Sequence, residues 1–192
     1  DFVNQVKAFD IASEYVVVKP NWVSNEQGEY TEPEILDLLL AAFPNQKKIV
    51  VESYTPWRGL KFEESDTDKG EGVTLTGGKK HWEFYKKQDK FFLDTTGIAE
   101  VMTKHKARYI NITNEVWSDR CVKPEIIASI VKDSNKFIKS KELYSYIPQK
   151  LYDIRNKATF VSLAKIKIEE SIPVIYVSMS VKNLFGLIPH PS

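Results

Sequence analysis

Cysteine is almost missing from this chain: among 192 residues, Cys121 stands alone. That excludes an internal disulfide framework, a four-cysteine zinc site and an iron–sulfur cluster ligated by this chain by itself. It fits a reducing, cytoplasmic setting. With no strong helix start or basic pair beside it, Cys121 does not read as a thiolate nucleophile. Histidine is nearly as scarce, and His81, His105 and His190 share no metal-ligand spacing, so each reads as solvated or packed. No apolar run reaches the roughly 20 residues needed to cross a bilayer. No basic-then-apolar leader opens the chain either, and no membrane role is expected. An excess of one charge is also lacking. The 27 Lys and Arg nearly cancel the 26 Asp and Glu, leaving +1, so the overall balance draws the chain toward neither nucleic acid nor an anionic surface. The lysines between Lys132 and Lys141 lack interleaved aromatics and read as a solvated face. There is no internal repeat.

What the chain does have is an ordinary core composition, 42% apolar and 12% aromatic, which predicts one globular domain over residues 1–192. It opens on Asp1 without Met and stops after Pro189-His190-Pro191-Ser192, where an apolar segment has only just ended. A fragment of a longer chain is expected.

Val16, Val17 and Val18 form a β-branched run broken by Lys19-Pro20, which predicts a buried strand ending in a loop. Thr31 then stands where an N-cap is needed, Pro33 suits the first helical turn, and the run from Ile35 to Phe43 supplies the helix. Lys47 to Ser53 gives a second buried strand, so the opening is a parallel strand–helix–strand crossover. From Gly59 to Asp94 the periodicity loosens, with acidic residues, Gly70/Gly72, Gly77/Gly78 and a Lys-rich aromatic stretch. This predicts an irregular insertion at about 59–94, either a lid or a surface loop. Its Gly-Gly pair lacks the third Gly and the preceding strand of a nucleotide fingerprint. A Thr-capped helix over Thr95–Met102, a strand over Ala107–Thr113 closed by Asn114-Glu115, helices near Pro124–Val131 and Ile147–Ile154, and a strand over Thr159–Ala164 follow. Pro173 to Ser178 is apolar on every face and fits a strand or a helix. The fold class is α/β: a mostly parallel sheet with helices on both faces, a Rossmann-like three-layer sandwich.

Sheets of this kind place ligands beyond the carboxyl ends of their strands. Lys19, Asn21, Glu52, Ser53, Asn114, Glu115, Lys165, Lys167, Lys182 and Asn183 all follow apolar runs closely. Ammonium groups and amides collected there would suit a small anion, a carboxylate or phosphate. Lys19, Asn21, Ser53, Lys165, Lys167, Lys182 and Asn183 are the candidate ligand-binding residues, and Glu52 is the candidate base. Each has a plain alternative: lysine stems covering a sheet edge, or Glu52 in a structural ion pair. Trp22 and Trp57 fit core packing better than pocket walls. Asn111-Ile112-Thr113 matches a glycosylation acceptor formally, but it sits in a predicted buried strand.

Val18-Lys19-Pro20-Asn21-Trp22-Val23, Thr31-Glu32-Pro33-Glu34, Val51-Glu52-Ser53, Thr96-Gly97-Ile98 and Val181-Lys182-Asn183-Leu184-Phe185-Gly186-Leu187-Ile188-Pro189 occur in the order seen in the domain of unknown function number three-six-two family. From about Tyr15 to Pro189 the chain resembles that family. Its members also carry a Pro-Lys-x-Lys-Thr-His segment, and many carry or accompany a ferredoxin-type iron–sulfur module. Here Ala164-Lys165-Ile166-Lys167 keeps both lysines, while Ile168-Glu169 replaces Thr-His. The ferredoxin cysteines are absent, so no cofactor is identifiable in this chain, and an iron–sulfur cluster would have to come from a partner or a further segment. The resemblance implies an α/β domain without an assigned activity. A fainter likeness in element order is to the amino-terminal domain of lactate-racemase-like proteins.

Three functions stand at this point. The first is binding of a small anionic molecule at the strand ends, with catalysis by Glu52 left open. The second is a non-catalytic accessory or redox-partner module docking a ferredoxin-type partner, with salt-sensitive binding. The third is a metal-assisted enzyme using Glu52, Asn114 and Glu115 as oxygen ligands for a cation such as magnesium.

Overall fold

The valine run and its crossover form as the pattern predicts. In the computed structural model, which describes residues 12–55, 58–59, 78–134 and 141–164, strand β1 spans Tyr15–Lys19. Helix α1 (Pro33–Ala41) leads to β2 (Lys47–Glu52). Next come α2 (Trp82–Thr95), α3 (Ile98–Lys104), β3 (Arg108–Asn111) and α4 (Ile112–Trp117). Then α5 (Pro124–Ser134) and α6 (Gln149–Ile154) lead to β4 (Ala158–Ser162). The sheet has the order β3-β2-β1-β4, and every pairing is parallel. Val18 stands opposite Val50, Lys19 opposite Ser162, and Glu52 opposite Asn111.

A parallel sheet buries both faces, so its strands are apolar continuously rather than alternately. Val16, Val18 and Val50 pack on Leu36, Leu39 and Leu40 of α1, Phe92 of α2, and Ile98 and Met102 of α3. Val17, Ile49, Val51 and Ile110 turn the other way, toward Ile112 of α4 and the partly buried Leu151 and Ile154 of α6. Helices therefore cover both sides of an all-parallel sheet, a Rossmann-like α/β architecture. Among the described residues, no helix is long and apolar enough to cross a membrane.

Four local expectations are corrected. The second half of the supposed insertion is α2, which buries Phe84, Tyr85, Gln88, Asp89 and Phe92. Its apolar stripe is interrupted by two polar residues, and this weakened the helical signal. Thr31 does not cap α1: Glu32 occupies that position without a side-chain bond, while Thr31 Oγ1 accepts from Asn21 N at 2.9 Å. Gly97, with φ +77, precedes α3 in place of a threonine cap, and Thr96 Oγ1 donates back to Phe92 O. Finally, β3 stops at Asn111, whose side-chain oxygen accepts from Asn114 N and starts α4. Residues 60–77 and Pro173 to Ser178 lie outside the described residues.

This layering separates two neighbours on α1. Leu36 is fully buried, whereas Leu38 is 43% exposed. Leu36→Ala should therefore cost about 2–5 kcal/mol in urea unfolding, and Leu38→Ala about 0.5 kcal/mol or less.

Candidate functional site

The carboxyl ends of β1, β2 and β3 present Lys19, Glu52 and Asn111, each a polar residue closing an apolar strand. Lys19 Nζ donates to Glu52 Oε1 and to Pro20 O at 2.7 Å. Glu52 Oε2 lies 3.4 Å from Arg58 Nη2, and Arg58 Nη1 donates to Asp89 Oδ1. The Tyr109 hydroxyl donates to Asp89 Oδ1, and Asn111 Nδ2 donates to Asp89 Oδ2, both at 3.2 Å. The result is an alternating series, Lys19, Glu52, Arg58 and Asp89. Their exposures are 2%, 3%, 1% and 6%.

Backbone groups complete the series. Glu52 also accepts from Trp22 N at 3.1 Å and Ser53 N at 2.8 Å, so four donors approach its two oxygens. Arg58 Nε and Nη2 donate to Trp22 O at 3.0 and 2.7 Å. Thr55 Oγ1 donates to Val23 O at 3.3 Å. Gly59 has φ +96, and a Cβ there would lie 2.7 Å from Asn25 Nδ2. The segments following β1 and β2 are thus fixed to each other.

Two cations and two anions balance, and burial acts on the equilibria of Lys19, Asp89 and Arg58. Burial lowers the Lys19 pKa, opposed by the Glu52 carboxylate. Burial raises that of Asp89, opposed by Arg58. For Arg58, burial works against the charge, but Asp89 and Glu52 prevail and hold the guanidinium ionised. Burial, reinforced by Asp89, pushes the Tyr109 and Tyr54 phenols well up, so both stay neutral hydrogen-bond donors.

The remaining sequence candidates separate. Asn21 Nδ2 donates to Glu29 O at 3.1 Å, inside the segment after β1. Ser53 is 3% exposed, and its Oγ has no hydrogen-bond partner among the described residues. Asn114 Oδ1 accepts from Trp82 Nε1 at 3.1 Å and from the Tyr54 hydroxyl at 3.3 Å. Glu115 turns to Arg120, which approaches both its oxygens at 3.1 and 3.0 Å, and to Lys150 at 2.9 Å. Glu52 and Glu115 therefore belong to different ion-pair clusters. Among the described residues, no three His, Cys, Asp or Glu side chains converge as metal ligands. Lys165, Lys167, Lys182, Asn183, Trp57 and His190 lie outside the described residues. Trp22 is core, and His105 meets Asp37. Burial, with Glu115 and Asp119 nearby, pushes the Cys121 thiol up to about 11.

Arg58, Asp89, Tyr109 and Asn111 were not among the sequence candidates. Asp89 carried a signal, since it lies on the same stripe as Tyr85 and Phe92, where a charged residue is out of place unless partnered. Arg58 carried none, because nothing local distinguishes it from a surface arginine.

Beside this network, α2 and the β3–α4 junction enclose an open cleft of about 330 Å³. Tyr54, Tyr109, Asn111, Asn114 and Glu115 line it together with Lys86, Asp89 and Lys90 of α2. Comparisons with protein-family models, curated proteins and solved structures each found no match.

Two outcomes follow from these charges. Arg58→Met leaves Asp89 buried without its cation and should cost about 3–5 kcal/mol in urea unfolding, while Arg58→Lys recovers part of the loss. For Glu115, burial raises the pKa, but hydrogen bonds from Arg120 and Lys150 prevail and hold it below the usual 4.5. The folded state therefore binds fewer protons than the unfolded state, and the stability this confers is present above pH 4.5 and lost as the pH falls through the folded value. Wild type and Glu115→Gln should differ in urea midpoint at pH 7 and converge toward pH 3; a constant gap would refute this.

Proposed function

We propose that this chain is a small-molecule-binding α/β domain whose ligand is an anion, a carboxylate or phosphate, held at the carboxyl ends of the parallel strands. The observation that carries the reading is the Lys19–Glu52–Arg58–Asp89 series. Buried charges are costly, and neutral apolar residues of similar volume often hold a fold together as well or better. Their concentration at the sheet edge where open α/β folds bind ligands supports a role in shaping a site. Glu52, saturated by four donors, suits an organising part better than that of a base. The buried Ser53 hydroxyl supports the reading independently, since buried polar groups are rarely left unpaired and this one, which follows β2 directly, has no partner among the described residues. The resemblance to the domain of unknown function number three-six-two family adds Lys182 and Asn183 to the proposed ligand contacts.

A thermal-shift screen of small carboxylates, phosphates and divalent metals at matched ionic strength tests the proposal. A ligand at one hundred times its dissociation constant should stabilise the fold by about 2.7 kcal/mol. Ser53→Ala removes no hydrogen bond among the described residues, so the variant should melt like wild type and yet lose part of the anion-induced shift. Lys182→Ala should lose it too. No shift with any anion would sink the proposal and favour the accessory-module reading, to be tested by salt-dependent binding to a ferredoxin-type protein.

A further inference from the structure

In the cleft between α2 and the β3–α4 junction, carboxylates and donors differ in how fully they are partnered. Its two most buried carboxylates are already neutralised. Asp89 receives Arg58, Tyr109 and Asn111, and Glu115 receives Arg120 and Lys150. Neither has a pressing need for a cationic guest.

The donors are in the opposite condition. Lys86 pairs with Glu83 at 2.7 Å, and that carboxylate is 77% exposed; its ammonium also lies 4.2 Å from the centre of the Trp82 ring, a contact that leaves its remaining hydrogens for a second partner. Lys90 is itself 76% exposed and pairs with Asp94 one turn along the same helix. Exposed pairs of this kind are worth little and exchange readily. Asn114 is the more telling group. Trp82 Nε1 can only donate, so the amide oxygen of Asn114 must face it, and the Tyr54 hydroxyl reaches the same oxygen. The amide nitrogen is thereby turned away from that aromatic pair, and among the described residues its two hydrogens meet no acceptor. Asn114 lines the cleft together with Lys86 and Lys90.

The rest of the lining is less polar. Tyr54, Tyr109 and Leu93 form its walls, and both phenols remain un-ionised at neutral pH. At roughly 30 Å³ per water, the volume corresponds to about eleven water molecules, enough for a single-ring molecule.

We propose that this cleft is the anion site and that it takes a small carboxylic acid with an aromatic or similarly apolar body, its carboxylate held by Asn114 Nδ2, Lys86 and Lys90. The inference rests on the anion-binding reading above and adds the place and the ligand class, with the contacts in the cleft instead of at Ser53, which is not among its described lining residues. The ring packs against Tyr54, Tyr109 and Leu93, while the carboxylate displaces Glu83 and Asp94 from the two lysines. A bare phosphate fills only the polar end, and acetate lacks the body.

Calorimetric titration with benzoate, acetate and inorganic phosphate tests this on wild type, Asn114→Asp, the Lys86→Gln/Lys90→Gln pair and Ser53→Ala. Asn114→Asp keeps an oxygen for Trp82 and Tyr54 but replaces the amide donor with a negative oxygen. Melting temperature checks that each variant folds, and the exposed lysine pair guards against a folding defect at Asn114. Benzoate should bind at least about tenfold more tightly than acetate or phosphate, and Asn114→Asp should weaken it about tenfold or more. The lysine pair should weaken it in the same direction. Phosphate binding as tightly as benzoate overturns the ligand class. Anion binding that survives in Asn114→Asp and in the lysine pair but falls in Ser53→Ala overturns the cleft and leaves the anion-binding reading standing. Absence of binding by any carboxylate or phosphate overturns both.

Discussion

The interaction between Glu52 and Arg58 is the constraint on which the carboxyl edge of this fold depends. Glu52 ends β2 and gathers Lys19 from β1 and two backbone amides. Arg58 extends the same electrostatic series to Asp89 on α2 and clamps Trp22 O with two further donors. Remove the link and two buried ion pairs remain, Lys19 with Glu52 and Arg58 with Asp89, each neutral but no longer joined to the other in a medium that solvates charge poorly. Two strands, the segments that follow them and a helix are therefore positioned by one ionic arrangement as well as by apolar contact.

That arrangement exists because a parallel sheet covered on both faces leaves few places for polar groups. Its interior is filled by valine, isoleucine and leucine, with α1, α2 and α3 on one face and α4 and α6 on the other. Polar residues are driven to the strand ends, where the backbone ladder stops and its free amides need partners. Glu52 meets that need for Trp22 and Ser53. The Asn111 side chain does so for the first turn of α4. Asn111, which ends β3, also lines the cleft, and so does Tyr54, which packs with Tyr85 and Trp117.

How much of this was readable beforehand differs from residue to residue. The valine run and the leucine-rich helix after it announced the crossover, because a buried strand and an amphipathic helix have different periods. Lys19 and Glu52 were picked out by position alone, and their meeting needs only that β1 and β2 be neighbours. Asp89 was passed over because a Lys-rich stretch with scattered aromatics dilutes helical periodicity. Thr31 looked like a cap because capping chemistry is local, but its hydroxyl is engaged by the backbone of Asn21 instead. Glu115 was grouped with Glu52 because both follow strands, whereas α4 begins before Glu115 and carries it to Arg120 and Lys150.

By itself the sequence determined the fold class, the absence of any internal disulfide, and which residues close the first two strands, since composition and hydrophobic period act over a few residues at a time. Only the tertiary structure decided that Arg58 and Asp89 complete a buried series with Lys19 and Glu52, and that Asn114 fronts a cleft on α2. The physical reason is separation along the chain: Arg58 and Asp89 stand 31 residues apart. Whether a charge is buried beside its opposite or solvated on a surface is settled by packing, which no local pattern encodes.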